Sequence, residues 1–123
     1  MKRDMDLVYK ILEFYEEKED FVSAVTPKID GYSKEQIFYH LKLMDQAYLI
    51  EAKDWSGISN TEWVASSLTS HGHDFFDSLK QESVWSTIKS EFKEASLETI
   101  VSVSKQLAEA WAKQKVERLI NGS

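Results

Sequence analysis

The chain has 123 residues, of which 42% are hydrophobic and 12% aromatic, with four glycines, one proline and no cysteine. This length suits one domain with a real core, and the composition excludes disordered, fibrous and disulfide-stapled proteins. Fifteen basic and twenty-one acidic side chains give a net charge of −6, which argues against histone-like proteins and binders of anionic membranes. No apolar run reaches the roughly 18 residues of a membrane span, so we expect a cytoplasmic protein without membrane contact.

The first predicted element is a helix over residues 4–18, because Asp4 is a good N-cap and apolar side chains follow at helical spacing. Residues 21–25 are β-branched and aromatic, which predicts a short strand. Residues 26–31 are predicted to form a single helical turn that Gly31 ends at positive φ.

Ser33 and Gln36 have the three-residue spacing of a capping box, which predicts a helix from there to about residue 47. Its inward stripe is expected to hold Ile37, Leu41, Met44 and Tyr48. Residues 49–52 and 62–68 then predict a hairpin around a polar turn at 54–60. Thr69 and Ser96 are expected to cap helices over 70–81 and 97–119, with another helix over 83–94 between them.

This order of elements is typical of a winged helix-turn-helix domain. The segment SKEQIFYHLKLMDQAYLIEA resembles a recognition helix that continues into a wing strand, and WVASSLTSHGHDFFDSL resembles the returning strand with its Leu-Thr-x-x-Gly turn. With MKRDMDLVYKILEFYEE, these segments resemble a small winged-helix family of phages and prophage-bearing bacteria that has no assigned activity. The resemblance implies a mainly α fold with a small antiparallel β wing over residues 1–95, followed by a C-terminal helical extension over 96–123.

Two features depart from a typical helix-turn-helix. The supporting helix before the recognition helix is usually about 7–10 residues long, and only the turn at 26–31 is available for it. Tyr48 stands where glycine usually ends the recognition helix, and a bulky residue takes a left-handed conformation only at a steric cost. We therefore expect this helix to end in a different way.

The outer face of the 33–47 helix carries the candidate contacts to double-stranded DNA. Lysine can contact guanine or phosphate, and glutamine can read adenine. An ordinary solvent or protein-contact face remains the alternative, because Glu35 and Asp45 repel phosphate. With flanking phosphate contacts, the candidate set is Lys28, Lys34, Tyr39, His40, Lys42, Gln46 and Lys53.

Two further regions are candidates for protein contact. Trp55 and Ile58 lie at the wing tip, where the tryptophan either folds back onto the core or is offered to a partner. The last helix carries an apolar stripe that includes Leu107, Trp111 and Leu119. At about 1.5 Å per residue it is longer than a compact core can cover, so we expect it to form a homodimer; packing on its own domain and docking into another protein are the alternatives.

Catalysis lacks a sequence signature. His73 and Asp77 have helical metal-pair spacing, but His71 diverges and no third ligand follows. The dipole at the start of a helix favours acidic side chains, which is the better explanation of Asp74 and Asp77. Gly72 is expected to permit close backbone packing. No nucleophile motif, phosphate loop or dinucleotide turn is present. We expect no metal, cofactor, small-molecule substrate or enzymatic activity.

Two functions follow as hypotheses. The first is a non-enzymatic DNA-binding regulator of a phage or prophage, in which the 33–46 helix reads the DNA. The second keeps the winged fold as a protein-interaction module that binds a host or phage protein through Trp55, the wing and the acidic surface. A fold alone does not decide between them.

Overall fold

The computed structural model describes residues 1–122, which form helices joined by one antiparallel hairpin. The helices are α1 (Met5–Glu17), α2 (Lys34–Gln46), α3 (Ser70–Leu79), α4 (Glu82–Glu91) and α5 (Leu97–Ile120), and the strands are β1 (Ile50–Asp54) and β2 (Trp63–Leu68). This confirms the predicted fold class, a mainly α chain with a small antiparallel β wing. We call β1, β2 and the loop between them the wing.

The chain divides into two compact units, the first from Met1 to Phe76 and the second from Asp77 onward. The predicted division between residues 95 and 96 stays a prediction. Across the described residues, no helix is both long and apolar enough to cross a lipid bilayer.

The core of the first unit is built by α1, α2 and the hairpin. The α1 side chains Leu7, Val8, Ile11 and Leu12 are fully buried, and α1 contacts both α2 and β2. The Asp4 carboxylate accepts hydrogen bonds from the backbone N–H groups of Asp6 and Leu7, which confirms the predicted N-cap. The capping box of Ser33 and Gln36 is also formed in both directions. These caps fix where both helices begin.

The hairpin pairs Ile50 with Leu68 at its base and Asp54 with Trp63 at its outer end, with an irregularity between Glu51 and Ala52. Beyond β2, the segment before α2 contributes one isolated bridge, in which Val25 exchanges two 3.0 Å backbone hydrogen bonds with Ala65. The edge of β2 that does not pair with β1 is therefore paired at this one position.

The predicted strand at 21–25 is wrong except for that bridge. The Asp20 carboxylate accepts the backbone N–H groups of Val22 and Ser23 at 2.8 and 2.7 Å, which folds this stretch into a tight turn. The same hydrogen bonds hold the pKa of Asp20 far below its usual value. Phe21 and Val22 remain exposed on this turn.

The predicted helical turn at 26–31 is also wrong. The Thr26 hydroxyl donates to the Trp63 carbonyl oxygen at 2.5 Å, which holds the start of this segment alongside β2. A turn forms only at residues 29–32, where the Tyr32 N–H donates to the Ile29 carbonyl oxygen at 3.2 Å. Gly31 has φ of 89°, the positive value that was expected.

Two predictions about Tyr48 are wrong: that α2 ends without a left-handed residue at this position, and that the Tyr48 side chain lies in the inward stripe. The helix ends with a left-handed residue after all, since Tyr48 has φ of 61°. The N–H groups of Leu49 and Tyr48 donate to Met44 and Asp45, each at 2.9 Å, which is the Schellman arrangement. Because the left-handed turn swings the chain out of the helical stripe, Leu49 is buried and the Tyr48 side chain is 77% exposed.

Gly72 permits the close backbone contact that was expected. A β-carbon at Gly72 would overlap the carbonyl oxygen of Leu49. That oxygen also accepts the Thr69 N–H at 3.0 Å, and the Thr69 hydroxyl accepts the Gly72 N–H at 2.9 Å. Thr69 therefore caps α3, as predicted, at the point where α3 meets the end of α2.

In the second unit, α4 contacts α5. Ser96 caps α5 by accepting the Thr99 N–H, as predicted. The buried residues of α5 lie in its first two turns, and residues 112–120 are all exposed. The predicted ends of α3 and α4 are two to three residues too late.

Candidate nucleic-acid interface

The solvent face of α2 presents most of the predicted DNA contacts. Ile37, Leu41 and Met44 pack inward, so the opposite side of the helix faces outward. Lys34, Lys42 and Gln46 are exposed there, and Tyr39 is half-buried. Lys34 and Lys42 are separated by two helical turns, about 12 Å of rise.

A shallow groove of about 390 Å³ separates α2 from the wing. Three aromatic rings contribute to it, together with charged and hydroxyl side chains from both sides. Its lining residues are Glu35, Phe38, Tyr39, Lys42, Asp54, Ser56, Thr61 and Trp63.

Lys42 and Asp54 are electrostatic neighbours across this groove. The Asp54 carboxylate accepts the Ser56 N–H at 2.9 Å. Hydrogen bonds from Ser56 hold the pKa of Asp54 below its usual value, and the positive charge of Lys42 lowers that pKa further. Asp54 stays ionised at neutral pH, so the groove carries both signs of charge.

His40 is not a surface residue, and its assignment as a DNA contact is wrong. The side chain is only 1% exposed. Its Nε2 accepts the Asp4 N–H at 2.8 Å, and its Nδ1 lies 2.7 Å from the Gln36 carbonyl oxygen. These partners assign the neutral ring with its proton on Nδ1. His40 thus ties α2 to the N-cap of α1.

This arrangement makes the stability of the protein pH-dependent. Burial lowers the pKa of His40 below its ordinary value of 6.5, and Arg3 adds to this, while the Gln36 hydrogen bond and the Asp4 charge oppose it. Because the native ring stays neutral, the unfolded chain binds more protons below pH 6.5. The contribution of His40 is fully present above that pH and is lost as the pH falls through the folded-state pKa.

We therefore expect the urea concentration at the midpoint of unfolding to decrease when the pH is lowered from 7.5 to 5.5. The matched variant is His40→Gln, which keeps an acceptor for the Asp4 N–H but cannot titrate. It should be less stable at pH 7.5 and show a flatter profile. An equally steep profile in the variant would mean that another group is responsible.

The remaining predicted contacts are exposed. Lys28 follows the buried Pro27, and Lys53 lies on β1 opposite Val64. At the wing tip, the Trp55 side chain is 54% exposed and Ile58 is fully exposed. The Trp55 side chain therefore does not fold back onto the core, although the backbone N–H of Trp55 donates to the Glu62 carbonyl oxygen at 2.8 Å.

Two of the three aromatic rings in the groove, those of Phe38 and Trp63, were not predicted from the sequence. Phe38 lies four residues from both Lys34 and Lys42, so helical spacing alone could have placed it on the same face. Trp63, Asp54 and Thr61 join it only through the fold of the hairpin. Within residues 1–122, no three histidine, aspartate or glutamate side chains come together as metal ligands would.

On α5, Leu107 and Trp111 are half-buried and Leu119 is exposed. Val116 and Ile120 are exposed with it. These two were missed, although Val116 lies three residues before Leu119 and four before Ile120, which is the spacing of one face of a helix.

Comparison with known proteins gives two matches. A family model described as hypothetical protein (DUF2513) matches residues 2–98. A protein of Haemophilus influenzae, described as an uncharacterized protein, is 34% identical over 110 residues, which are 89% of this chain and 93% of that protein. No solved structure matches. The family match spans both strands and α1 to α4, so it includes every residue of the groove.

Proposed function

We propose that this chain, which belongs to the family described as hypothetical protein (DUF2513), is a non-enzymatic, DNA-binding regulator of phage or prophage origin. The observation that supports this most is the groove between α2 and the wing, because it brings an exposed helix and an exposed hairpin to one side of the first unit. Winged-helix proteins that bind DNA use such a pair of elements.

In this proposal α2 enters the major groove. Its 13 residues give a length of about 20 Å, and the B-DNA major groove, about 12 Å wide, admits an α-helix. Gln46 would face a base edge, and Lys34 and Lys42 would contact guanine or phosphate. Tyr39 lies between the two lysines. Lys28 and Lys53 would add phosphate contacts from the flanking segments.

The charge distribution sets how strong the binding is. The chain carries a net charge of −6, and Glu35 and Asp54 lie in the groove itself. Binding therefore depends on a few local lysines rather than on an overall positive field. Four lysine–phosphate contacts correspond to a slope of log K against log salt of about −3.6 per chain.

Fluorescence anisotropy of a labelled duplex from around the gene tests this proposal. With excess random competitor, we expect saturable binding at 50 mM salt that weakens toward 200 mM with the slope given above. Absence of binding at tens of micromolar protein, or binding that does not depend on salt, would contradict the proposal.

We further propose that two copies associate through the end of α5. The exposed Val116, Leu119 and Ile120 lie on a helix with no buried residue beyond Ser104 in its described part. Two-fold DNA-binding proteins read half-sites about 34 Å apart. Sedimentation equilibrium should give twice 14.2 kDa for the native chain and the single mass for Leu119→Glu combined with Ile120→Glu. An unchanged mass in that variant would contradict this interface.

A protein-interaction module is the second candidate, and the exposed Trp55 and Ile58 favour it. Exposed tryptophans often anchor protein interfaces. This candidate is preferred if the native chain fails to bind DNA and if a captured protein is lost with Trp55→Ala. Retention of that partner by the variant would count against the wing tip as its site.

A further inference from the structure

Tyr48 occupies a backbone conformation that favours glycine. Its φ of 61° is the only positive value at a non-glycine residue among residues 1–122. A left-handed conformation is sterically unfavourable for an L-residue with a side chain, whereas glycine adopts it without that penalty. A tyrosine here makes the fold less stable than a glycine would.

The surrounding backbone fixes this conformation firmly. The Schellman hydrogen bonds from Tyr48 and Leu49 end α2, and the Thr69 hydroxyl donates to the Tyr48 carbonyl oxygen at 2.6 Å. The next residue, Leu49, is the one whose carbonyl oxygen touches Gly72. The turn is therefore set by atoms of the backbone and of Thr69, and any residue at position 48 has to accept it.

The tyrosine ring contributes little to the stability of the fold. Its side chain is 77% exposed, so burial of apolar surface does not offset the strain. Strained residues that the fold itself does not need occur preferentially at functional sites.

We propose that Tyr48 contacts the sugar–phosphate backbone of duplex DNA, an inference that rests on the proposed function. Tyr48 lies two residues beyond Gln46, so their α-carbons are within about 7 Å of each other. A DNA strand that follows the exposed face of α2 past Gln46 comes within reach of the Tyr48 side chain. The phenol hydroxyl would donate to a phosphate oxygen, and the ring would pack on a deoxyribose. Such contacts position a protein on DNA without reading its sequence.

The test combines stability with affinity. Tyr48→Gly should raise the melting temperature by roughly 3–6 °C, because it removes the strain. The same variant should weaken binding to the labelled duplex about fivefold or more, the loss of one hydrogen bond to a charged group. Tyr48→Phe removes only the hydroxyl, so it distinguishes the contribution of the hydroxyl to binding from that of the ring. Phe21→Ala is the matched control, because Phe21 is equally exposed but lies outside α2 and the wing.

The outcomes separate the two proposals. A more stable Tyr48→Gly protein that binds DNA more weakly, with Phe21→Ala unchanged, supports the inference. Tyr48→Gly with native affinity overturns the inference and leaves the proposed function in place. Equal loss in Phe21→Ala overturns it too, since the effect would then follow from any exposed ring. No binding by the native chain overturns both.

Discussion

Gly72→Ala is expected to lower the free energy of unfolding by roughly 3 kcal/mol or more and the melting temperature by about 10 °C or more. The added β-carbon would overlap the carbonyl oxygen of Leu49. That oxygen belongs to the backbone and accepts the Thr69 N–H, so it cannot rotate away as a side chain would. The start of α3 has to move away from the end of α2, which breaks the Thr69 cap and loosens the packing of both segments.

Gly57→Ala is the matched control for this prediction. A β-carbon at Gly57 meets only the tip of the Asn60 side chain, at 2.7 Å, and that side chain can turn away. We expect a change within about 0.5 kcal/mol, as for other surface substitutions. Urea denaturation of both variants measures the difference. Equal stability of Gly72→Ala and the native protein would mean that α3 does not approach Leu49 as described.

The second large effect is expected in DNA binding. Lys34→Glu combined with Lys42→Glu should raise the dissociation constant about 30-fold or more, because each lysine contact to DNA is worth roughly 1–3 kcal/mol. Both side chains are exposed, so the fold should persist, with a small loss where the carboxylate introduced at position 42 faces Asp54. Anisotropy gives the affinity, and thermal melting verifies the fold.

The chain supplies a closely matched control in Lys105→Glu combined with Lys113→Glu. These two lysines are also exposed, also eight residues apart and also on one helix, α5. The change of net charge is therefore identical in the two double variants. Sedimentation equilibrium checks that the control keeps the native mass, because Lys113 shares a helix face with Val116. Equal weakening by both variants at that mass would show that total charge, rather than the α2 face, governs binding.

Local signals in the sequence were sufficient for the helices that carry the site. Asp4 and the Ser33–Gln36 pair placed the starts of α1 and α2, because an N-cap depends only on residues a turn away. The apolar stripe of α2 fixed its inward side, and so the outward position of Lys34, Lys42 and Gln46 followed. The close backbone packing at Gly72 was also predicted correctly.

Expectations failed where tertiary contacts override local preference. The residues at 21–25 have strand propensity, but hydrogen bonds to Asp20 and the bridge to Ala65 decide their conformation. Helical spacing alone places His40 beside the outer face of α2. Its hydrogen bond with the backbone N–H of Asp4, the N-cap of α1, instead holds the ring in the interior. The groove lining depends on the hairpin's position against α2, which no local pattern encodes.

The most direct test of the central claim, that α2 and the wing form the DNA surface, is a map of backbone amide NMR shifts on addition of a duplex. At twice 14.2 kDa, the mass of the proposed dimer, the protein is still small enough for this measurement. We expect the largest shifts in residues 34–48 and 51–63, and little change in residues 105–120 beyond effects of dimerisation. Shifts concentrated elsewhere, or none at a duplex concentration that saturates anisotropy, would contradict the account.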